Sequence, residues 1–379
     1  MFNFEGSTKG AIIKVFGAGG AGGNAVSNMM EAGVEGVEFI AANTDAQVLS
    51  RLNVPNKIHL GQVITRGLGA GGDPEIGRKS AIEDADQIAD AVKGADIVFI
   101  TAGMGGGTGT GAAPVIASIA KDQKALTIAV VSTPFGWEGK KRKEAAANGL
   151  KYLKEHVDSY IVVENNRLRE ILNKNASVMD GFKLADDVLR QGVQGISDTI
   201  NVPGYINLDC NDLRSIMVSK GLALMGMGVA SGDNRVKEAL EKALKGPMLA
   251  DTNIKGAYGI LLNMTGGKDL RWNEIDDIGS LINEYAGDDT NIFFGVVPDD
   301  REDGSISVTL IATGIGLNVK ESTRPIIFES FLDRKKPSDK IVFEDTLARI
   351  KQANQYLGGF DDYNKEDMDI PTYLRKQMD

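Results

Sequence analysis

The run Gly103-Met104-Gly105-Gly106-Gly107-Thr108-Gly109-Thr110-Gly111 stands between an apolar stretch, residues 96–101 (DIVFIT), and a helical pattern over residues 112–121. Few folds accommodate that arrangement. Glycines let successive backbone N–H groups crowd around one point, because no Cβ blocks the approach. A strand-to-helix turn aims the positive end of the helix at the same point. The two threonine hydroxyls add donors. The guest such a turn suits is an anion, here a nucleotide phosphate chain.

A second glycine run lies nearer the start. Residues 11–16 (AIIKVF) read as a buried strand leading into Gly17-Ala18-Gly19-Gly20-Ala21-Gly22-Gly23-Asn24, with a helix to about Ala32. Strand-like stretches at 36–42, 96–101, 126–132 and 160–163 alternate with helical patterns over 74–93, 112–121 and 140–155. Strand alternating with helix predicts a doubly wound, mostly parallel α/β sheet. Ligands of such sheets sit at the carboxyl ends of the strands, where both glycine runs lie. From 180 to 201 a single helix is expected, since Leu184, Val188, Leu189, Val193, Ile196 and Ile200 share one face. Pro203-Gly204 stops it. Beyond it an α+β unit is expected, with helices over 215–227, 235–245 and 273–285 and strands over 256–265, 291–297 and 305–313. The long helix would be the spine between the two units. Residues 317–368 alternate charge with short apolar pieces, as in a flexible linker. The end, Asp369-Ile370-Pro371-Thr372-Tyr373-Leu374-Arg375, is a compact apolar motif of the kind that docks on a partner.

Composition excludes several classes. A net charge of -10 argues against a nucleic-acid binder that relies on a basic surface. No apolar run approaches the ~20 residues of a membrane span, so direct membrane insertion is not expected. The start MFNFEGSTKG has neither the charged nor the apolar region of a signal peptide. The single Cys210 excludes an internal disulfide and fits a reducing compartment, the cytoplasm.

Each remaining motif has a functional and a structural reading. Gly17-x-Gly19-x-x-Gly22 with Asp45 beyond it matches a dinucleotide fingerprint. The second glycine loop counts against that, because two loops can enclose the phosphates of one nucleotide from both sides. GDPEIGRKS (72–80) nearly spells a P-loop, but Arg78 stands at the lysine position and no strand is expected before it. The run 67–72 (GLGAGG) is either a mobile loop over a terminal phosphate or a plain surface loop. Glu138 and Arg142 would serve sugar hydroxyls and a phosphate oxygen, or else open an exposed basic helix. Phe182 and Asp186 lie four apart, on one helix face. The ring would stack on a base and the carboxylate would accept the paired N–H groups of guanine; otherwise Phe182 is core and Asp186 solvated. Asn207, Asp209 and Asp212 are turn and cap residues, or a metal or water site. His59 and His156 belong to no recognisable site, and no metal held by protein side chains is expected.

Taken in order, GAGGAGGN (17–24), NTDAQ (43–47), GLGAGGDPEIG (67–77), GGGTGTG (105–111), EGKKR (138–142) and NLDCND (207–212) resemble the tubulin superfamily, and within it the bacterial cell-division GTPases. The resemblance covers about residues 11–316 and resumes at the tail. It implies a tubulin-like fold with a GTP-binding domain (1–178), a central helix (179–203), an activation domain (204–316), a linker (317–368) and a docking peptide (369–379). It implies GTP or GDP with Mg²⁺. Gly19, Gly20, Ala21, Gly22, Gly23, Asn24 and Asn43, with Gly103, Gly105, Gly106, Gly107, Thr108, Gly109 and Thr110, would hold the nucleotide, chiefly its phosphates. Ala70, Gly71 and Gly72 would sense the terminal phosphate, Glu138 and Arg142 hold ribose and phosphate, and Asn165, Phe182 and Asp186 hold guanine. Asn207, Asp209 and Asp212 would be catalytic on the nucleotide of the neighbouring subunit, in a head-to-tail filament that builds the division ring at mid-cell. Asp369, Ile370, Pro371, Tyr373, Leu374 and Arg375 would bind membrane-tethering division proteins. Ser132, Trp137, Glu164, Cys210-Asn211 and Tyr373 stand where the family usually has Thr, Phe, Pro, Phe-Ala and Phe. Two other classes compete. One is an oxidoreductase with Asp45 on a ribose. The other is a non-hydrolysing structural relative, against which the intact Asn207, Asp209 and Asp212 count.

Overall fold

The computed structural model describes residues 10–315 except 174, 219–220, 247, 250–253, 288–289 and 300–302. The linker and tail expected over 317–379 lie outside the described residues. Ten strands form one sheet: β1 (Ile13–Ala18), β2 (Val37–Asn43), β3 (Asn56–His59), β4 (Ile97–Gly103), β5 (Leu126–Thr133), β6 (Ser159–Glu164), β7 (Gly221–Ser231), β8 (Gly259–Gly266), β9 (Asn291–Pro298) and β10 (Ser305–Thr313). Their order is β3-β2-β1-β4-β5-β6-β7-β10-β8-β9. Neighbours from β3 to β7 are parallel, β10 is antiparallel to β7 and β8, and β8 and β9 are parallel. The expected doubly wound, mostly parallel sheet is present. β1, β4 and β5 are buried almost throughout. Their continuous apolar sequence is what a parallel strand covered by helices on both faces requires.

The helices are α1 (Gly19–Glu31), α2 (Ala46–Arg51), α3 (Gln62–Thr65), α4 (Pro74–Glu83), α5 (Ala85–Val92), α6 (Thr108–Asp122), α7 (Lys140–His156), α8 (Asn165–Leu168), α9 (Val178–Asn201), α10 (Cys210–Met217), α11 (Arg235–Lys245) and α12 (Trp272–Ala286). The pattern over 74–93 is two helices rather than one. Asp84 interrupts it, and its carboxylate accepts the Gly61 N–H at 2.6 Å. The long helix α9 starts two residues before the expected position. There Ser177 and Asp180 form a capping box that satisfies the first N–H groups. Its Gly192 packs against Val130 of β5 and Met225 of β7, and its Gly195 against Thr309 of β10. It is therefore a spine laid along one face of the sheet, and the sheet itself passes without a break from β6 to β7.

The helix expected over 215–227 is a correction. α10 ends at Met217, and Gly221 begins β7. Leu-Ala-Leu-Met is a helix-forming composition. It is overridden by pairing with β10 over the strand's length and by close approach of α11. A Cβ at Gly226 would lie 2.1 Å from the Ala243 carbonyl oxygen, and one at Gly228 would lie 2.0 Å from that of Ala239. β3, missed in the sequence, is a short edge strand with a mostly exposed pattern and so carries little periodic signal.

Candidate functional site

Where β1, β4 and β5 end, their loops surround an open cavity of about 280 Å³. Its phosphate-like end is built from two strand-to-helix turns. Gly20 and Ala21 open α1, and Gly106, Gly107, Thr108 and Gly109 open α6. A Cβ at Gly20 or Gly106 would meet nothing within 4 Å, so backbone N–H groups there are open to a guest. Both helix N-termini bring their dipoles to the same place. Gly103 and Met104 complete this wall.

The two threonines of the second loop have different tasks. Thr108 lines the cavity. Thr110 is buried in the wall, where its hydroxyl accepts the Gly105 N–H at 2.8 Å. It shapes the loop and does not face the guest. The same holds for Gly22, which packs so closely that a Cβ would lie 2.3 Å from the Thr101 carbonyl oxygen. Gly23 and Asn24 sit within α1, Gly23 against Leu52. Asn43 is buried, its side-chain oxygen accepting the Asp45 N–H. Gly19, Gly22, Gly23, Asn24, Asn43, Gly105 and Thr110 thus stand behind or beside the cavity wall. Ala70, Gly71 and Gly72 lie on a loop that touches the wall at Gly107. A Cβ at Gly107 would be 2.8 Å from the Ala70 Cβ.

The other end of the cavity is organic rather than ionic. Phe182, Ala185 and Asp186 present one face of α9, and Asn165 comes from the start of α8. The Asn165 side-chain oxygen is buried without a hydrogen-bond partner, an acceptor held ready for a donor in the cavity. Burial pushes the Asp186 carboxyl up to about 7. Among the described residues it accepts from the Asn28 side-chain amide, at a long 3.4 Å. A carboxylate that has lost water and gained little in exchange suits a ligand with two adjacent N–H donors. Phe182 sits edge-on to Phe135 and Trp137, with ring centroids 5.7 and 6.1 Å away. Phe135 and Trp137 are themselves stacked at 5.8 Å.

Between the two ends Glu138 and Arg142 pair at 2.5 Å. The Glu138 carboxylate also accepts the Phe135 N–H at 2.8 Å. One lone pair remains on each of its oxygens, enough for a sugar hydroxyl. Arg142 is the more exposed partner and is free to turn towards an anion. Ser132, Thr133, Pro134, Met104 and Ala185 line the cavity; Thr133, Pro134 and Ala185 were not singled out in the sequence, Ser132 was noted only as a departure from the family pattern and Met104 only within the glycine run. Ser132 and Thr133 end β5 and Pro134 follows it, and the rule that ligands gather at carboxyl ends could have found them. Ala185 is three residues from Phe182, on the same helical face.

Asn207, Asp209 and Asp212 are elsewhere. Asp209 caps α10, accepting the Asn211 and Asp212 N–H groups at 2.7 and 2.8 Å. Asp212 returns the bond to the Asp209 N–H. Asn207 closes the turn after α9, donating to the Thr199 and Val202 carbonyls and accepting from Gly204. Asn207 and Asp209 are exposed and Asp212 is half-buried. The capping reading is correct for the isolated chain and leaves carboxylate oxygens facing solvent. Among the described residues no group of three or more His, Cys, Asp or Glu could hold a metal ion, and no helix is long and apolar enough to cross a membrane.

Residues 12–173 match the model of the Tubulin/FtsZ family, GTPase domain, and residues 221–316 that of the FtsZ family, C-terminal domain. The chain is 43% identical over 383 residues to a Cell division protein FtsZ of Pseudomonas aeruginosa, covering 97% of each chain. It is 44% identical over 367 residues to one of Pseudomonas putida, covering 97% of this chain and 89% of that one. The chain belongs to the FtsZ family. As a member it is a GTPase of cell division that binds guanine nucleotide. Among solved structures, an empty FtsZ dimer from M. jannaschii superposes with a TM-score of 0.77 at 42% identity, over 80% of this chain and 88% of that one. CetZ2 from Haloferax volcanii, solved as a GTPγS-bound protofilament, gives 0.67 at 19% identity, over 92% of this chain and all of that one, and shows the tubulin-like fold alone. The family models bracket α9 and the 207–212 turn, which lie between them.

Proposed function

We propose that this FtsZ-family chain binds GTP in the cavity described above and hydrolyses it only when a second copy brings its Asn207, Asp209 and Asp212 to the phosphates. The observation that carries this is separation. Phe182 stands near one end of α9 and the 207–212 turn follows the other. From Phe182 to Asn201 the helix rises about 29 Å at ~1.5 Å per residue. The sheet gives a second measure. Arg214 of α10 donates to the Asp96 and Lys124 carbonyls, at the starts of β4 and β5. The cavity is at the far ends of those strands, about 23 Å away for the Asp96-to-Gly103 span at ~3.3 Å per residue. No side chain bridges that gap, so the carboxylates cannot reach their own cavity.

Phosphoryl transfer to water needs positioning and charge stabilisation more than covalent chemistry. Gly20, Gly106, Gly107 and Thr108 would cradle the phosphates, and Gly71 and Gly72 would close over the last one. Glu138 and Arg142 would hold ribose and phosphate, with Asn165, Phe182 and Asp186 on guanine. The carboxylates among the lining residues, Glu138 and Asp186, stand away from the phosphate end. The lining residues offer no carboxylate cluster for a metal, so Mg²⁺ would be held chiefly by the phosphates that Gly20, Gly106 and Gly107 cradle, and it would supply charge neutralisation there. The incoming Asp209 and Asp212 would orient the attacking water. A face carrying nucleotide that meets a face carrying carboxylates is a heterologous contact, which propagates a filament. In this reading residues 1–178 bind nucleotide, 179–203 span the molecule and 204–316 activate the neighbour. The filament would form the division ring in the cytoplasm at mid-cell.

Mixing two inactive variants tests the shared site. Asp212→Ala keeps the cavity, and Asp186→Leu keeps the activating turn. Their mixture should regain roughly a quarter of wild-type phosphate release, because one junction in four pairs an intact cavity with an intact turn. No recovery at any ratio would refute the arrangement. Residues 369–375 would dock a membrane tether, with many weak tails on one filament giving avidity. Deleting 369–379 should spare GTP turnover and abolish recruitment to tether-bearing vesicles, and undiminished recruitment would remove that role.

A further inference from the structure

Thr44 is not among the residues lining the cavity, yet it joins the two loops on its phosphate side. It follows β2 directly and is fully buried. Its carbonyl oxygen accepts the Gly69 N–H at 3.2 Å and lies 3.2 Å from the Thr65 hydroxyl, whose one proton is shared with the Gly61 carbonyl at 2.9 Å. Its neighbours reinforce the seam, Asp45 bridging to Leu68 and Ala46 donating to the Gly67 carbonyl at 3.1 Å. The base of the 67–72 loop is therefore fixed to Thr44. On its other side the Thr44 hydroxyl meets the Thr108 hydroxyl at 2.6 Å.

That pair has a directional consequence. Two hydroxyls at this distance share one proton and leave the other free. When Thr44 donates, the Thr108 proton is available to an acceptor in the cavity, such as a phosphate oxygen. When Thr108 donates, only lone pairs face the cavity. Thr44 also decides where the Thr108 hydroxyl points. Thr108 is the first residue of α6, so no preceding helical turn offers its hydroxyl a carbonyl. The 2.6 Å bond selects one orientation.

We propose that Thr44 is a positioning residue for the triphosphate: it holds the Thr108 hydroxyl towards the terminal phosphate and couples that contact to the 67–72 loop. This rests on the reading of the cavity as the GTP site. Because the coupling runs to the loop assigned to the terminal phosphate, it acts on GTP and not on GDP.

The test uses the full chain with Thr44→Val, which keeps the shape and removes the hydroxyl, Thr44→Ser, which keeps the hydroxyl, and Thr108→Val. Dissociation constants for GTP and GDP are measured by competition with a fluorescent guanine nucleotide, alongside thermal midpoints. Thr44→Val should weaken GTP roughly 3- to 10-fold, the worth of one ordinary hydrogen bond, and GDP less than about 2-fold. Thr44→Ser should stay within about 2-fold of wild type for both, and the Thr44→Val/Thr108→Val double variant should bind GTP no more weakly than Thr108→Val alone. Should the valine not fold at Thr44, Thr44→Ala makes the same comparison. Wild-type GTP affinity in Thr44→Val alongside weakened Thr108→Val overturns the proposal and leaves the cavity reading standing. Equal losses for GTP and GDP, or a matching loss in Thr44→Ser, also overturn it by showing a purely structural role. Thr108→Val binding both nucleotides as wild type does would instead bring down the cavity reading, and the proposal with it.

Discussion

Asp186 is where burial and recognition meet. Its carboxyl is raised to about 7 because burial has removed water and little has replaced it. A raised folded value means the ionised form costs stability. That cost begins as pH rises through the ordinary aspartate range and is complete above about 7. A guanine edge would repay it with two N–H donors, and only the ionised carboxylate accepts both. GDP affinity should therefore fall about tenfold between pH 8 and pH 6, as protons compete with the base. Asp186→Asn should bind roughly 10- to 100-fold more weakly at pH 8 and lose that slope. Titration of a fluorescent GDP analogue across this range reads both, and a flat wild-type profile would contradict the assignment. Asp212 poses the converse question. Its cap bond to the Asp209 N–H is long, at 3.4 Å, and contributes little to holding α10, so removing its carboxylate should leave the fold intact. Asp209, which accepts two short bonds, is the residue whose loss would also loosen the helix start.

At the level of elements, α11 and α12 are joined through one buried cation. Arg235 donates to both oxygens of Glu274, at 2.7 and 2.9 Å, and further to Asp269 and the Gly304 carbonyl. The Arg235 and Glu274 side chains are only 5% and 8% exposed. The Arg235 hydrogen bonds hold the Glu274 carboxyl below its ordinary range, so their stabilisation is present above that range and lost as pH falls through the lowered value. Arg235→Met strands a buried carboxylate and should cost about 3–5 kcal/mol at neutral pH, whereas adding Glu274→Leu should recover most of it. Urea unfolding of the two variants decides this, and a double variant as unstable as the single one would contradict it. The same elements show what the sequence conveys and what it does not. α9 was legible because its apolar residues keep helical spacing over the whole span. Strands β1, β4 and β5 were legible because they are buried on both faces. β7 was not, since its leucines, alanines and methionines favour helix, and it is a strand because β6 and β10, both distant in sequence, pair with it and α11 packs closely on it. At the site, the glycine runs announced an anion cradle. They did not reveal that Gly22 and Thr110 serve packing while Gly20 and Thr108 face the guest, because that division depends on the contacts of Thr101 and Gly105.

For the whole molecule, the decisive feature is that the cavity and the 207–212 carboxylates lie towards opposite ends of the sheet. On the proposed reading a monomer would carry the cradle without the carboxylates that orient water, and its basal turnover would be only that of bound GTP in a charge-stabilising pocket. Turnover should appear only as junctions form. A junction needs two chains, so phosphate release per chain should be near zero in dilute protein, rise steeply over a narrow concentration range and then become constant. A site complete within one chain would instead give release proportional to protein from the lowest concentration. The distinction sharpens with Asp212→Ala, which should bind GTP with wild-type affinity and scatter light on GTP addition as the wild type does. It should release phosphate at about 1% of the wild-type rate or less, because water positioning typically contributes roughly 10²–10⁴-fold. Scattering that persists after GTP is added would follow from the same geometry, since the spent junction is the one that loosens. Recording phosphate release and scattering together over a dilution series compares the two accounts directly, and proportionality down to the lowest concentration would place the whole reaction inside one chain.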